Sequence, residues 1–501
     1  MWNNILKTIE DINSVVNNFV WGWPMIILIL GTGILISIRL KFMQIGKFGE
    51  SISTTILPVL KGIGKKEKHA EKKGEKSISQ FEAFSAAISG TVGTGNIIGV
   101  TSAILTGGPG AVVWMWVSAF FGMLTNYAEN VLGLYYRKKD ENGNFSGGAF
   151  YYIAYGLKQK WLGYIAAFFC MIAAIGMSGV QTNKISGTLT SVFNLDSTSF
   201  KIIIGIIVAL ITCIVIIGGI KRIGRIASML VPFMSLLFII MSIIIIFINI
   251  SALGQTIKVI FSSVFSTKSL AGGVGGYAFS QIIKKGMARG VFSNEAGLGS
   301  SVIAHSASEV KEPVKQGLWG VFEVFFDTFV ICTLTALVIL TTSIKSGIFY
   351  TMDFGAAASD SAVALSAFSN NLGILGSSIF SIILPLFAFT TILAWSYYGE
   401  KATEFCFQWL SKKGQNIAVL IFKILYVLLI VAAAVIHSDL IWAIDDTFNG
   451  LMALPNLIAL VFLSGQVVKI TKNYYDRKKG IDIEPMLSAY PEQNEEFKKE
   501  I

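Results

Sequence analysis

The chain has 501 residues, of which 53% are hydrophobic and 14% charged. A soluble domain carries about 25% charged residues, so this composition excludes an ordinary soluble protein. The formal charge of +10 comes from short basic blocks between apolar runs; that distribution marks cytoplasmic loops and argues against a nucleic-acid groove.

Taken in chain order, the apolar runs predict about eleven transmembrane helices, near 20–39, 80–105, 110–136, 161–183, 201–219, 226–250, 276–305, 316–343, 373–400, 417–436 and 442–469. The fold class expected is therefore an all-α polytopic membrane protein. Polar residues from Asn13 to Asn18 and the lack of a small-residue cleavage site make the first run a retained anchor rather than a signal peptide. The run KGIGKKEKHAEKKGEK (61–76) follows that anchor, so the positive-inside rule places it in the cytoplasm and the N-terminus outside. Alternation then puts YYRKKD, KRIGR, SKK and KNYYDRKKG inside as well, with the C-terminus cytoplasmic. The charged tail beyond Lys472 reads as a solvated extension.

Two spans are abnormal. SGTVGTGNIIG (89–99) holds four glycines, two threonines and an asparagine, although each glycine costs roughly 1 kcal/mol against alanine inside a helix. GMARGVFSNEAGLGSS (286–301) places Ser293, Asn294 and Glu295 inside another apparent span. Small-residue helix packing explains glycine, but not a Ser-Asn-Glu cluster at bilayer depth. With the first span counted as an extra, the two fall at the head of each set of five. Matched interruptions of that kind point to an inverted-repeat transporter with two broken helices and a site at the bilayer midplane. The expected organisation is 1–79 (extra helix and basic loop), 80–250 and 251–470 (two five-helix repeats), and 471–501 (tail).

Other classes are disfavoured. The glycines of the first break give GxGxxxG with no preceding strand, not a nucleotide fingerprint, and neither H-E-x-x-H nor G-x-S-x-G occurs. Cys170, Cys213, Cys332 and Cys406 stand singly in apolar stretches, as small core residues do. No enzymatic cofactor is expected. Glu323 and Asp327, four apart, share one helical face, where they serve an ion path or a structural bond to an amide or Arg289. Glu82 and Glu129 read as gate or interface charges at span ends.

Across nearly its whole length, through GTVGTGNI, GGPGAVVWMW, ARGVFSNEAGLGS, FFDTFVICTLTALVIL and FAFTTILAWSYYGEK, the chain resembles the alanine-or-glycine:cation symporters, which have the leucine-transporter fold. The resemblance implies sodium- or proton-driven uptake of alanine or glycine at a prokaryotic cell membrane, with lipid as surroundings and no nucleic-acid partner. It implies that Thr91 and Gly95 contact the substrate's carboxylate and amino group. Phe292, Ser293, Asn294 and Glu295 would form the matching face, Gln181 would reach in with its amide, and Trp395 would close the pocket beside the side chain. By analogy of fold, Ser89 and Val92 carbonyls with Thr390 and Thr391 would hold sodium, and Asn96 a second ion. Ala394 replaces a frequent glycine and Ser301-Val302 a common Ala-Pro. A same-fold permease for another small amino acid or solute is the alternative. Sodium against proton, stoichiometry, L- against D-alanine against glycine, and oligomeric state stay open.

Overall fold

The computed structural model describes residues 2–62, 77–139, 143–264, 273–346, 360–436 and 438–500. Most of the basic run 61–76, with His69, and also His437 lie outside the described residues. Among the described residues the architecture is helical, apart from an antiparallel pairing of Lys138–Lys139 with Phe145–Ser146 and a parallel bridge between Ile78 and Ser308.

The opening segment is two helices, α1 (Trp2–Val20) and α2 (Trp23–Arg39), divided at Gly22, with Pro24 in the first turn of α2, where a missing N–H is tolerated. The second span is split into α3 (Gln80–Thr91) and α4 (Ile98–Gly107), bent by 54°. Ser79 and Glu82 close a capping box at the start of α3, each accepting from the other's main-chain N–H, so Glu82 serves as a helix cap. There follow α5 (Ala111–Tyr135), α6 (Lys160–Phe193), α7 (Thr198–Ile216) and α8 (Gly219–Ile248). Ile203, Ile207, Leu210 and Ile214 line an exposed apolar face of α7; on a transmembrane helix that face meets lipid.

A helix absent from the sequence reading comes next. α9 (Ile250–Val264) buries Ala252, Thr256, Ile260 and Val264 at a spacing of four, which is a helical face too short and too polar to register as a span. The second broken span consists of α10 (Gly273–Asn294) and a single turn, α11 (Ser301–His305). α12 (Pro313–Val324) runs through a π-helical stretch, Phe325–Cys332, into α13 (Thr333–Ser346). α14 (Asp360–Cys406) turns sharply at Gly373, whose φ of 58° is glycine territory, so its membrane part begins where the apolar pattern placed it. α15 (Lys412–Ala433) and α16 (Ser438–Lys478) complete the bundle. Each of the eleven expected spans thus has a helical counterpart among the described residues. α6 is the central post, packed along both α14 and α16.

The tail is not a solvated extension. Its last helix, α17 (Pro491–Lys498), buries Phe497 beside Phe145, and Leu487 is buried with them. The Ala489 N–H donates to the Tyr135 carbonyl at 2.8 Å, and the Tyr490 hydroxyl to that of Tyr136 at 3.2 Å. Glu500 pairs with Lys311 (3.2 Å) on the loop leaving the second broken span. Charge runs hide such docking because two apolar anchors suffice for it. Removing a buried phenylalanine typically costs about 3–5 kcal/mol. Phe497→Ala is therefore expected to release the tail, making trypsin cleavage between residues 479 and 499 at least tenfold faster, while the rest of the folded protein stays resistant; an unchanged cleavage rate would show that the tail is held some other way.

Candidate functional site

The first break starts where α3 runs out. Val92 leaves the helix at φ −79°, ψ 84°, and a 3-10 turn (Thr94–Asn96) precedes α4. Freed main-chain groups are taken up by side chains, as backbone inside a membrane must be. The Gly93 N–H donates to Asn96 Oδ1 at 2.9 Å, and Thr94 donates from its hydroxyl to Gln181 Oε1 at 2.9 Å. Gln181 is buried, and its Nε2 points to the Met177 sulfur at 3.3 Å. At Gly93 a Cβ would overlap the Thr391 hydroxyl. At Gly95 it would come within 3.3 Å of the Phe292 ring. The glycines thus permit the turn and let two other elements approach the main chain.

The second break follows Asn294. Glu295 takes a left-handed φ of 54°, uncommon for a residue with a side chain, and Gly297 and Gly299 follow at 95° and 76°. Asn294 Oδ1 accepts from the Ala296 N–H (3.0 Å), and its Nδ2 donates to the Thr328 hydroxyl (3.1 Å). Glu129, far from being an interface charge, is fully buried. It accepts from the Gly297 N–H (3.1 Å) and from Asn456 Nδ2 (2.5 Å), and the same amide also donates to the Gly297 carbonyl (2.9 Å).

The two breaks meet at Asp327. Asn96 of the first donates to its Oδ1 at 2.5 Å, and Ser293 of the second donates to Oδ2 at 2.9 Å. Thr328 adds a third donor at 2.8 Å, and the Cys332 sulfur lies 3.2 Å from the Ser293 hydroxyl. Asp327 is buried and, among the described residues, has no cationic partner; Arg289 is engaged instead by Asp446 at 3.3 Å. The π-helical stretch explains the grouping. Bonds from i to i+5 bring Asp327 and Cys332 to one side. They also separate Asp327 from Glu323, which lies 2.8 Å from His305 Nε2, so the expected shared face of the two acids is replaced by two distinct sites. Cys332 is accordingly more than a small core residue. Asp, Thr and Cys within an apolar span were its signal.

Of the remaining expected residues, Ser89 and Thr391 are brought together: the Thr391 hydroxyl donates to the Ser89 carbonyl at 2.9 Å. Val92 is buried beside them in the chain. Thr390 points elsewhere, its hydroxyl bonded to the Phe387 carbonyl (3.0 Å) and 3.8 Å from the Met234 sulfur. Thr91 closes α3 with its hydroxyl on the Ile88 carbonyl (3.2 Å). The Trp395 indole N–H donates to Glu295 Oε1 (3.0 Å), and Ser300 bonds the other oxygen. Phe292 stacks on Trp442 at 5.3 Å, with Arg289 over both rings. At the opposite end, buried Arg137 donates to the carbonyls of Ser306, Ser308 and Val310. The polar centre therefore lies between two sets of contacts, each tying a broken span to a neighbouring helix.

Residues 6–487 match the sodium:alanine symporter family. The sodium/alanine symporter AgcS of Methanococcus maripaludis is 41% identical over 93% of this chain and 97% of its own length. The amino-acid carrier protein AlsT of Bacillus subtilis is 34% identical over 95% of each. Among solved structures, that of MhsT in complex with L-phenylalanine has the same fold, with a TM-score of 0.56 and 14% identity over 79% of this chain and 99% of that one.

Gly93 offers a test of the geometry. Gly93→Ala places a methyl group on the Thr391 hydroxyl, whereas a Cβ at Gly31 meets nothing within 4 Å. Overpacking costs about 1–3 kcal/mol, so Gly93→Ala is expected to lower the unfolding temperature in detergent by several degrees and to reduce solute uptake at least tenfold. Gly31→Ala should change neither. Equal behaviour of the two variants would contradict the close approach.

Proposed function

The chain belongs to the sodium:alanine symporter family, and from that premise we propose that it is a secondary symporter, not an enzyme, which couples inward sodium movement to uptake of alanine or glycine. The observation that carries this reading is the junction of both breaks on Asp327, with the Ser89 carbonyl and Thr391 hydroxyl beside them. Main-chain carbonyls, hydroxyls and carboxylate are hard oxygen donors of the kind a small cation takes. Main-chain amides at a half-helix end suit a substrate carboxylate. Glycine or alanine as substrate fits two large aromatic side chains placed beside the breaks, Phe292 against Gly95 and buried Trp395 on Glu295, which favour a small side chain.

We assign substrate contact to Thr91, Gly95, Gln181, Phe292, Ser293 and Asn294, with Glu295 and Trp395 supporting that face through their mutual hydrogen bond. A sodium ion would sit at Ser89, Val92 and Thr391, with Asn96 near a second. Residues 80–250 and 251–470 would be the inverted repeats, and the protein would lie in a prokaryotic cell membrane with its N-terminus outside. One charge crossing 100 mV is worth about 2.3 kcal/mol, which the ion's concentration gradient supplements.

The direct test is radiolabelled alanine uptake into proteoliposomes under imposed sodium or proton gradients, with unlabelled amino acids as competitors. Sodium-driven uptake competed by glycine is expected; uptake indifferent to both gradients would overturn the reading. The geometry also separates the two threonines. Leaving a buried partner unpaired costs roughly 1–3 kcal/mol, so Thr391→Ala is expected to raise the sodium concentration for half-maximal uptake about tenfold, while Thr390→Ala leaves it within about twofold. The opposite ranking would place the ion elsewhere.

A further inference from the structure

Away from this centre, the bundle holds a second set of buried polar atoms, on the face of α16 that meets α6. Trp442, Asp445 and Asn449 recur at intervals of three and four and so share one face of the helix. Asp445 is 1% exposed and Asn449 0%. Both carboxylate oxygens of Asp445 and the Asn449 Oδ1 have no hydrogen-bond partner among the described residues. The Asn449 Nδ2 gives one N–H to the Asp445 main-chain carbonyl at 2.9 Å, so the amide cannot flip. Its second N–H is the one neutral donor it can turn toward the Asp445 carboxylate. Asn449 Oδ1 stays unpaired, and the carboxylate has no cationic partner among the described residues. Across the interface stands Gly176 of α6, where an added Cβ would come within 2.7 Å of Asp445 Oδ1. The absence of a side chain at 176 makes the space this carboxylate occupies.

The charged and titratable groups around Asp445 come from the elements packed about it. Asp446 adjoins it on α16, Arg289 and Glu295 belong to the second broken span, and Tyr426 faces it from α15. Arg289 is held by Asp446, and the Tyr426 hydroxyl donates to the Ile392 carbonyl at 2.6 Å. Lys285 of the same broken span shares Asp446 with Arg289, and Lys184 of α6 lies over the Trp442 ring at 5.0 Å while paired with Asp360. Among the described residues no cation pairs with Asp445 itself. An uncompensated carboxylate at bilayer depth is costly, and two carboxylate oxygens plus an amide oxygen are a hard donor set that only a cation neutralises.

We propose that Asp445 and Asn449, opposite Gly176, form a further monovalent-cation site between α6 and α16, apart from those at the polar centre, which takes a sodium ion or a proton during transport. The inference rests on the reading of this chain as a cation-coupled symporter. The site is built into both helices that serve the polar centre. One turn away on α16, Trp442 stacks on Phe292; five residues along α6, Gln181 receives the hydroxyl of Thr94 at the first break. Occupation at Asp445 bears on how α6 and α16 pack, and by linkage substrate and cation then favour each other's binding by equal factors.

The experiment uses the full chain in proteoliposomes and in detergent. It counts radioactive sodium bound per chain at saturation, takes the Hill coefficient for sodium in alanine uptake, and follows internal pH with a trapped dye. Wild-type uptake that needs neither ion would overturn the symporter reading itself, before any variant is read. For Asp445→Asn, a sodium site supports the proposal through one sodium fewer per chain and a Hill coefficient lower by about one. A proton site supports it through an unchanged sodium count with loss of alanine-driven acidification. Asn449→Leu keeps the carboxylate and carries the test if Asp445→Asn does not fold. It is expected to raise the sodium half-saturation, or to shift the pH midpoint of uptake, by an amount equivalent to about tenfold in cation affinity. Variants with wild-type sodium count, Hill coefficient, half-saturation and proton movement would overturn the site.

Discussion

One buried carboxylate joins the two broken helices. Asp327 accepts from Asn96 on one side and Ser293 on the other, and it does so without an opposing cation among the described residues. Inside a membrane each unsatisfied polar group costs several kcal/mol, so neither break is tolerable unless its loose groups are taken up by other parts of the protein. Gln181 serves Thr94, Asn96 serves Gly93, Asn294 serves Ala296 and Glu129 serves Gly297. The irregular backbone is thereby fixed by side chains from α5, α6 and the breaks themselves, and Asp327 makes the two halves of that scaffold one unit.

Contacts on two sides of this centre tie the broken spans to their neighbours. On one side of the centre, the Phe292–Trp442 stack and the Arg289–Asp446 pair fasten α10 to α16. On the other, Arg137 holds the carbonyls that follow α11, and the docked tail adds the Glu500–Lys311 pair over the same loop. On this account, alternating access amounts to releasing one set while the other holds, with the polar centre carried between them. The contacts at both ends are few and mix aromatic stacking with ion pairs and hydrogen bonds, whereas α6 packs along the length of α14 and α16.

Much of the fold was legible in the residues. Apolar runs located a helix for each expected span, although α6 and α16 run nine or ten residues past the expected ends. Glycine beside hydroxyl, amide and acid side chains marked both breaks, since close packing alone needs no such polar groups. What escaped followed from physical causes of a different kind. The π-helical stretch changes the phase of the helix, so an argument from four-residue spacing put Glu323 and Asp327 together when their partners are His305 and Asn96. α9 lacks the length and apolarity of a span. The tail is rich in charge, with 12 charged residues among the 29 beyond Lys472, and only the buried Leu487 and Phe497 tell of its docking. Two adjacent threonines look alike in sequence, yet helix rotation gives Thr391 the Ser89 carbonyl and Thr390 the Met234 sulfur.

The central claim is that the charge of Asp327, shared between both breaks, organises the binding centre. Asp327→Asn keeps the shape and removes the charge. Equilibrium binding of radiolabelled alanine to this purified variant, titrated against sodium, tests the claim most directly. The account predicts affinity lower by about tenfold or more, in keeping with loss of charge-assisted hydrogen bonds worth roughly 1.5–3 kcal/mol, and little gain on adding sodium. Wild-type affinity and wild-type sodium dependence in a folded Asp327→Asn protein would contradict it.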